Sequence, residues 1–150
     1  MPGSPLCVIF SAKLARVGGL LLATSLLVSL RPPRVRPTQP QLARQFLVEI
    51  LARNYPAAYR RLAPEVRAAV PLLAFARAAR PVWQQGQARG PAIEFYQLGA
   101  RLGNGQRPSQ WFCRFAFAQD SARRPPPVLL EVTFRDTAAR AVLGFGLRRR

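Results

Sequence analysis

Between Gln39 and Asn54 the apolar residues fall at Leu42, Ala43, Phe46, Leu47, Ile50 and Leu51, with Arg44, Glu49 and Arg53 largely off that stripe. Apolar spacing of three and four residues gives a helix one face to bury, so this stretch predicts an amphipathic α-helix. Asn54 can end it, and Pro56 suits the first turn of a short second helix carrying Ala57, Ala58, Tyr59 and Leu62. A third helical stretch is predicted from Pro64-Glu65. It is interrupted or restarted at Pro71 and runs through Leu72, Leu73 and Phe75 toward Arg80-Pro81, with Trp83 leading into a turn region at Gly86 to Gly90.

After Pro91 the period changes to two. Ile93 and Phe95 alternate with Glu94 and Tyr96, after which Leu98, Ala100 and Leu102 transfer the apolar positions to the other face, as a bulge or bend would. Gly103-Asn104-Gly105 is a strong turn signal. From Gln110 to Gln119 a regular strand is predicted, with Trp111, Cys113, Phe115 and Phe117 on one face and Phe112, Arg114, Ala116 and Ala118 on the other. A basic, proline-rich loop from Arg123 to Pro127 precedes Val128, Leu130, Val132 and Phe134, which alternate with Leu129, Glu131, Thr133 and Arg135. A last strand is expected over roughly Ala141 to Leu147. Four consecutive strands with short connections predict an antiparallel meander packed on the helices, an α+β fold. In this register Trp111 and Phe115 point between sheet and helices. Truncating Trp111 to Ala is then expected to cost roughly 3–5 kcal/mol, and Arg114 to Ala under about 1 kcal/mol.

Ahead of these elements Lys13 and Arg16 precede an uncharged run from Val17 to Leu30, the layout of a secretory signal. With Leu6 to Phe10 included, the apolar stretch becomes long enough to cross a bilayer, provided Lys13 and Arg16 snorkel or pair. Residues 1–30 are therefore expected to be a signal peptide or membrane anchor. An uncleaved signal anchor is preferred, with a cleaved signal, or a wrongly placed start and a cytoplasmic domain, as alternatives. Residues 31–38, with Pro32, Pro33 and Pro37 among arginines, read as an extended Pro/Arg-rich linker, and 39–150 as the folded domain. The linker arginines balance Lys13 and Arg16, so charge bias does not orient the segment; an extracytoplasmic domain is preferred because export behind such a segment is common.

Apolar residues make up 49% of the chain, enough for a core. The formal charge of +17 suggests nucleic acid at first sight. Yet Lys13 is the only lysine, and Ala and Pro are abundant, a composition that codon bias toward GC explains as well as selection for charge. From Thr38 onward 18 arginines face Glu49, Glu65, Glu94, Asp120, Glu131 and Asp136, and they are spread over every predicted element. That pattern predicts a dispersed basic surface able to touch anionic lipid, and only weak, salt-sensitive contact with nucleic acid. Histidine is absent, which removes the commonest general base and metal ligand. Cys7 and Cys113 lie on opposite sides of the targeting segment, so no disulfide forms inside the domain, and Cys113 reads as a small buried hydrophobe. No metal or cofactor is implied.

The order of helices and then sheet is similar to the nuclear transport factor 2-like superfamily, the cone-shaped fold shared with ketosteroid isomerase and polyketide cyclases. Leu51-Ala-Arg-Asn-Tyr-Pro-Ala-Ala-Tyr59 resembles the helix-turn-helix start of small bacterial members. Val132-Thr-Phe-Arg-Asp136, its turn, and Val142-Leu-Gly-Phe-Gly146 resemble the closing hairpin. The resemblance covers about residues 39–148. It implies three N-terminal helices packed on a curled four-stranded antiparallel sheet that encloses a pocket, with Tyr59, Trp83, Phe95, Trp111, Phe115 and Phe134 as its wall. An isomerase of this superfamily needs a carboxylate or histidine base and an oxyanion donor. Here only Glu94, Glu131, Tyr55, Tyr59 and Tyr96 stand as substitutes, and the strand neighbours of both glutamates place them on a solvated face. The expected function is a non-enzymatic module that binds a small apolar ligand or forms a homodimer through the open sheet face. An isomerase- or cyclase-like enzyme is the alternative.

Overall fold

Local chemistry sets the helix boundaries in the computed structural model, which describes residues 36–106 and 108–149. Helix α1 (Gln39–Leu51) opens on a reciprocal cap: the Thr38 hydroxyl accepts the Gln41 N–H at 3.4 Å, while the Gln41 side-chain oxygen accepts the Thr38 N–H at 2.8 Å. It closes with two backward bonds, Arg53 N–H to the Ile50 carbonyl at 2.9 Å and Asn54 N–H to the Glu49 carbonyl at 2.8 Å, which place Arg53 at a φ of 58°. Asn54 then starts α2 (Tyr55–Arg60) by accepting the Ala57 N–H at 3.3 Å.

The predicted third helical stretch is two helices, α3 (Pro64–Ala69) and α4 (Leu72–Arg89), so four helices precede the sheet instead of three. Pro71 makes the break, and the Tyr59 hydroxyl lies 2.9 and 2.8 Å from the Arg67 and Val70 carbonyls at the end of α3. Helix α4 does not stop at Pro81 but continues through it, so Trp83 is helical. An interior proline costs about 3 kcal/mol. Burial of Phe75 and Val82 on the same helix, each contributing about 1.5–3 kcal/mol, offsets that cost. Gly86 lets α4 approach α1 closely, since a Cβ there would lie 2.5 Å from the Leu51 side chain.

Strands β1 (Ile93–Arg101), β2 (Gln110–Phe117), β3 (Val128–Phe134) and β4 (Gly144–Arg149) form one antiparallel sheet in the order β1-β2-β3-β4. The expected irregularity in β1 is a bulge at Tyr96: Phe95 pairs with Phe115 and Gln97 with Arg114, which returns Leu98 to the Phe95 face opposite Cys113. A short 3-10 turn, Ala118–Asp120, ends β2 two residues before the expected boundary. Strand β4 starts later than expected because Val142 leaves β3 for Leu62, in a parallel bridge with Val142 N–H to Arg61 carbonyl at 2.9 Å and Ala63 N–H to Val142 carbonyl at 2.8 Å.

The helices cover the sheet face that carries Cys113, Phe115, Phe117, Leu130, Val132 and Phe134, all buried against Phe46, Leu47 and Ile50 of α1. Phe46, Phe75 and Phe145 meet with ring centroids 5.3–6.1 Å apart, tying α1, α4 and β4 together. Burial pushes the Cys113 thiol up to about 11, the behaviour of a packed, unreactive cysteine. The Gln39 side-chain amide donates to the Asp136 and Ala139 carbonyls at 2.5 and 3.0 Å, fixing the start of α1 on the β3–β4 connection. The expected signal or anchor at 1–30 lies outside the described residues. Among the described residues, no helix is long and apolar enough to cross a membrane.

Candidate functional site

Helices α3 and α4 leave part of β4 uncovered, and the gap is a groove of about 450 Å³. Leu62, Val66 and Val70 supply one wall, Phe75 and Phe145 stand at the aromatic junction described above, and every residue lining the groove is apolar or glycine. Gly144 and Gly146 lie along its β4 border. The N–H and C=O of Val142 point toward residues 61–63, and β4 is an edge strand of the sheet, so its outer side carries backbone groups that no further strand pairs. The groove thus combines a dry apolar lining with backbone donors and acceptors along one border, and no carboxylate lines it.

The six aromatic residues expected to form a pocket wall do not gather around this groove. Phe115 and Phe134 are fully buried in the core, and Trp111, the cross-strand partner of Phe134, packs half-buried against them. Phe95 lies on the same face of β1 beyond the cover of the helices, 52% exposed, with its ring edge-on to Phe115 at 5.7 Å. The Tyr59 ring meets Phe75, a groove-lining residue, at 5.7 Å with a tilt of 57° and does not itself line the groove. Trp83 lies apart from all of these, on α4 under the Arg53 guanidinium at 4.7 Å. The sequence did carry signals for the groove. Leu62, Val66 and Val70 follow helical spacing across the Pro64 start, and Gly144-Phe-Gly146 puts one large side chain between two absent ones on an edge strand.

The candidate acid–base groups divide sharply. Glu94 is exposed, as expected. Glu131 is not on a solvated face: it is 5% exposed, because three long side chains close over it. Its carboxylate accepts from Arg101 at 3.0 Å, Arg114 at 2.8 Å and Arg148 at 3.2 Å. Burial alone would raise its pKa, but the bonds from Arg101, Arg114 and Arg148 prevail and hold it below the usual glutamate range. Arg114 also donates to the Gln97 side chain at 3.0 Å and lies 4.3 Å over the Phe112 ring. That ring lies flat across Gly99, where a Cβ would come within 2.5 Å of it. With both oxygens bonded and its proton affinity lowered, Glu131 organises the outer sheet face and is a poor proton acceptor. The Tyr59 hydroxyl faces two backbone carbonyls, Tyr55 is half-buried and Tyr96 is exposed on the bulge. Among the described residues no three His, Cys, Asp or Glu side chains come together as a metal site would require. No protein-family model, curated protein or solved structure matches this chain.

Proposed function

We propose that the chain is a membrane-tethered or exported domain of the nuclear transport factor 2-like kind, and that it works as a non-enzymatic binding module for a small apolar ligand held between α3, α4 and β4. The observation that carries this reading is the groove of about 450 Å³ with its wholly apolar lining. That volume falls within the range of small-molecule sites, roughly 300–1,000 Å³, and burying an acyl- or ring-sized ligand there displaces water from surface that has no polar side chain to hold it. Backbone groups on the open side of edge strand β4 supply the few polar contacts that orient a ligand. The engagement of Glu131 with three arginines argues against the isomerase-like alternative, since the most buried carboxylate of the sheet is committed elsewhere.

The test is titration of the full-length protein with a fluorescent fatty acid, beside Ala78→Trp. Ala78 lines the groove from the exposed side of α4, so an indole there fills the site without entering the core. Saturable binding that weakens at least tenfold in Ala78→Trp, with an unchanged melting temperature, is expected. Equal binding by both proteins, or none by either, overturns the reading.

A second reading has its own observation. Phe95, Tyr96 and Leu98 are 52%, 43% and 47% exposed on β1, an edge strand, and such an apolar edge suits self-association. Sedimentation of the full-length protein should then show a dimer that Leu98→Glu dissociates. A wild-type monomer at all concentrations removes this reading.

A further inference from the structure

Three arginines line a single recess on the opposite side of α4 from the apolar groove. Arg77 and Arg80 project from one stretch of α4 beside Ala76 and Trp83, and Arg53 and Tyr55 enter from the α1–α2 connection, around a volume of about 480 Å³. No acidic residue lines the recess. Among the described residues every ion pair is made elsewhere: Arg61 with Glu49, Arg89 and Arg123 with Asp120, Arg135 with Glu65, and the three arginines around Glu131. Arg53, Arg77 and Arg80 therefore bring three positive charges to one small volume with no carboxylate among the described residues paired to them, an arrangement that costs repulsion unless an anion enters.

Two features show that the recess is ordered. The Arg53 guanidinium is already placed, 4.7 Å over the Trp83 ring. Its backbone sits at a φ of 58°, at a helix end where glycine is the least strained residue, so arginine stands there at a conformational cost. Tyr55 and Trp83 add one hydroxyl and one indole N–H to the lining.

We propose that this recess binds a phosphate monoester group. Guanidinium forks match phosphate oxygens in pairs, and a monoester carries nearly two negative charges at neutral pH, so three arginines around one point suit it better than a lone carboxylate. A phosphodiester strand carries single charges spread along a line and calls for a track of cations. Ala76 is the smallest side chain in the lining and takes up little of the space between the arginines. The site lies outside the apolar groove and does not depend on that groove having a ligand.

The experiment is calorimetric titration of the full-length protein, at physiological salt, with glycerol phosphate and with phosphatidylcholine vesicles containing phosphatidic acid. Vesicles of equal charge made with phosphatidylserine and a single-stranded oligonucleotide serve as comparison probes. Arg77→Gln and Arg80→Gln, both exposed on α4 and harmless to the core, are set against Arg123→Gln and Arg140→Gln. Saturable glycerol phosphate binding that falls at least tenfold in each α4 variant and less than twofold in the two controls is expected. Binding of phosphatidic acid vesicles alone, with the same variant pattern, also supports the site and identifies a lipid headgroup as the source. Loss shared equally by all four variants, phosphatidylserine binding as tight as phosphatidic acid, tighter binding of the oligonucleotide than of either monoester probe, or no saturable binding at all overturns the proposal.

Discussion

Arginine does opposite work in two regions of this domain. On the outer face of the sheet Arg101, Arg114 and Arg148 converge on one nearly buried carboxylate, and the cluster holds all four strands together. Beside Trp83, Arg53, Arg77 and Arg80 converge with no carboxylate among them. The first set is satisfied from within the molecule, and the Arg101 and Arg114 guanidiniums lie over Phe112 as structural cover. The second makes no ion pair among the described residues and faces solvent. The same residue type in groups of three thus marks a structural joint in one place and a receptive surface in the other, and the presence of one glutamate makes the difference.

The largest effect that would break this comparison belongs to Glu131. Replacing it with Gln leaves three guanidiniums without their common acceptor, and the expected loss is about 2–3 kcal/mol, the low side for a buried pair because the arginines keep part of their hydration. Denaturant unfolding measures it, and a loss below about 1 kcal/mol would return Glu131 to an ordinary surface position. Acid removes the same interaction by titration. Because the folded-state pKa of Glu131 is lowered, its contribution is complete above the unfolded value of about 4.3 and is lost as pH falls through the folded value. The stability gap between wild type and Glu131→Gln should therefore narrow as pH drops below about 4.3, as paired unfolding curves would show.

Arg114→Ala comes next, at about 1–2 kcal/mol. This side chain is 22% exposed, bonds Glu131 and Gln97 and covers Phe112, so removing it disturbs three neighbours at once. The smallest change is expected at the recess, and its sign sharpens the comparison. Arg77→Gln or Arg80→Gln relieves repulsion and should leave stability unchanged or raised by up to about 0.5 kcal/mol in thermal unfolding without phosphate. A loss above 1 kcal/mol in either would reveal an internal partner and remove the contrast.

The sequence exposed the sheet more fully than the helices or the site. Period-two alternation fixed the inner face of β2 and β3, and the change of face after Tyr96 marked the bulge, because both depend on neighbouring residues along one strand. The continuation of α4 through Pro81 was hidden, since the compensating burial of Phe75 and Val82 comes from distant elements. The fate of Glu131 was hidden for the same reason. Polarity at an outward position predicts solvation, but Arg101, Arg114 and Arg148 reach it from three strands, and Phe112 joins the cover only because Gly99 has no side chain. This alters the energetics expected of β2. Trp111 is half-buried and Arg114 is tied to a buried anion, so the two substitutions should differ by less than alternation alone implies. The apolar groove was legible only as fragments, because its two walls are far apart in the chain.

The contacts at the start of β4 also bear on how the chain finds this structure. Each strand of the sheet pairs with its neighbour in sequence, so the meander can assemble hairpin by hairpin with short loops to close. The Gln39 amide, in contrast, reaches a carbonyl 100 residues away, and the Leu62–Val142 bridge spans nearly as much of the chain. Closing such long loops is entropically costly until both sides are already shaped. These contacts should therefore form late, after the nucleus, so that Gln39→Ala and Val142→Ala accelerate unfolding while leaving the refolding rate nearly unchanged.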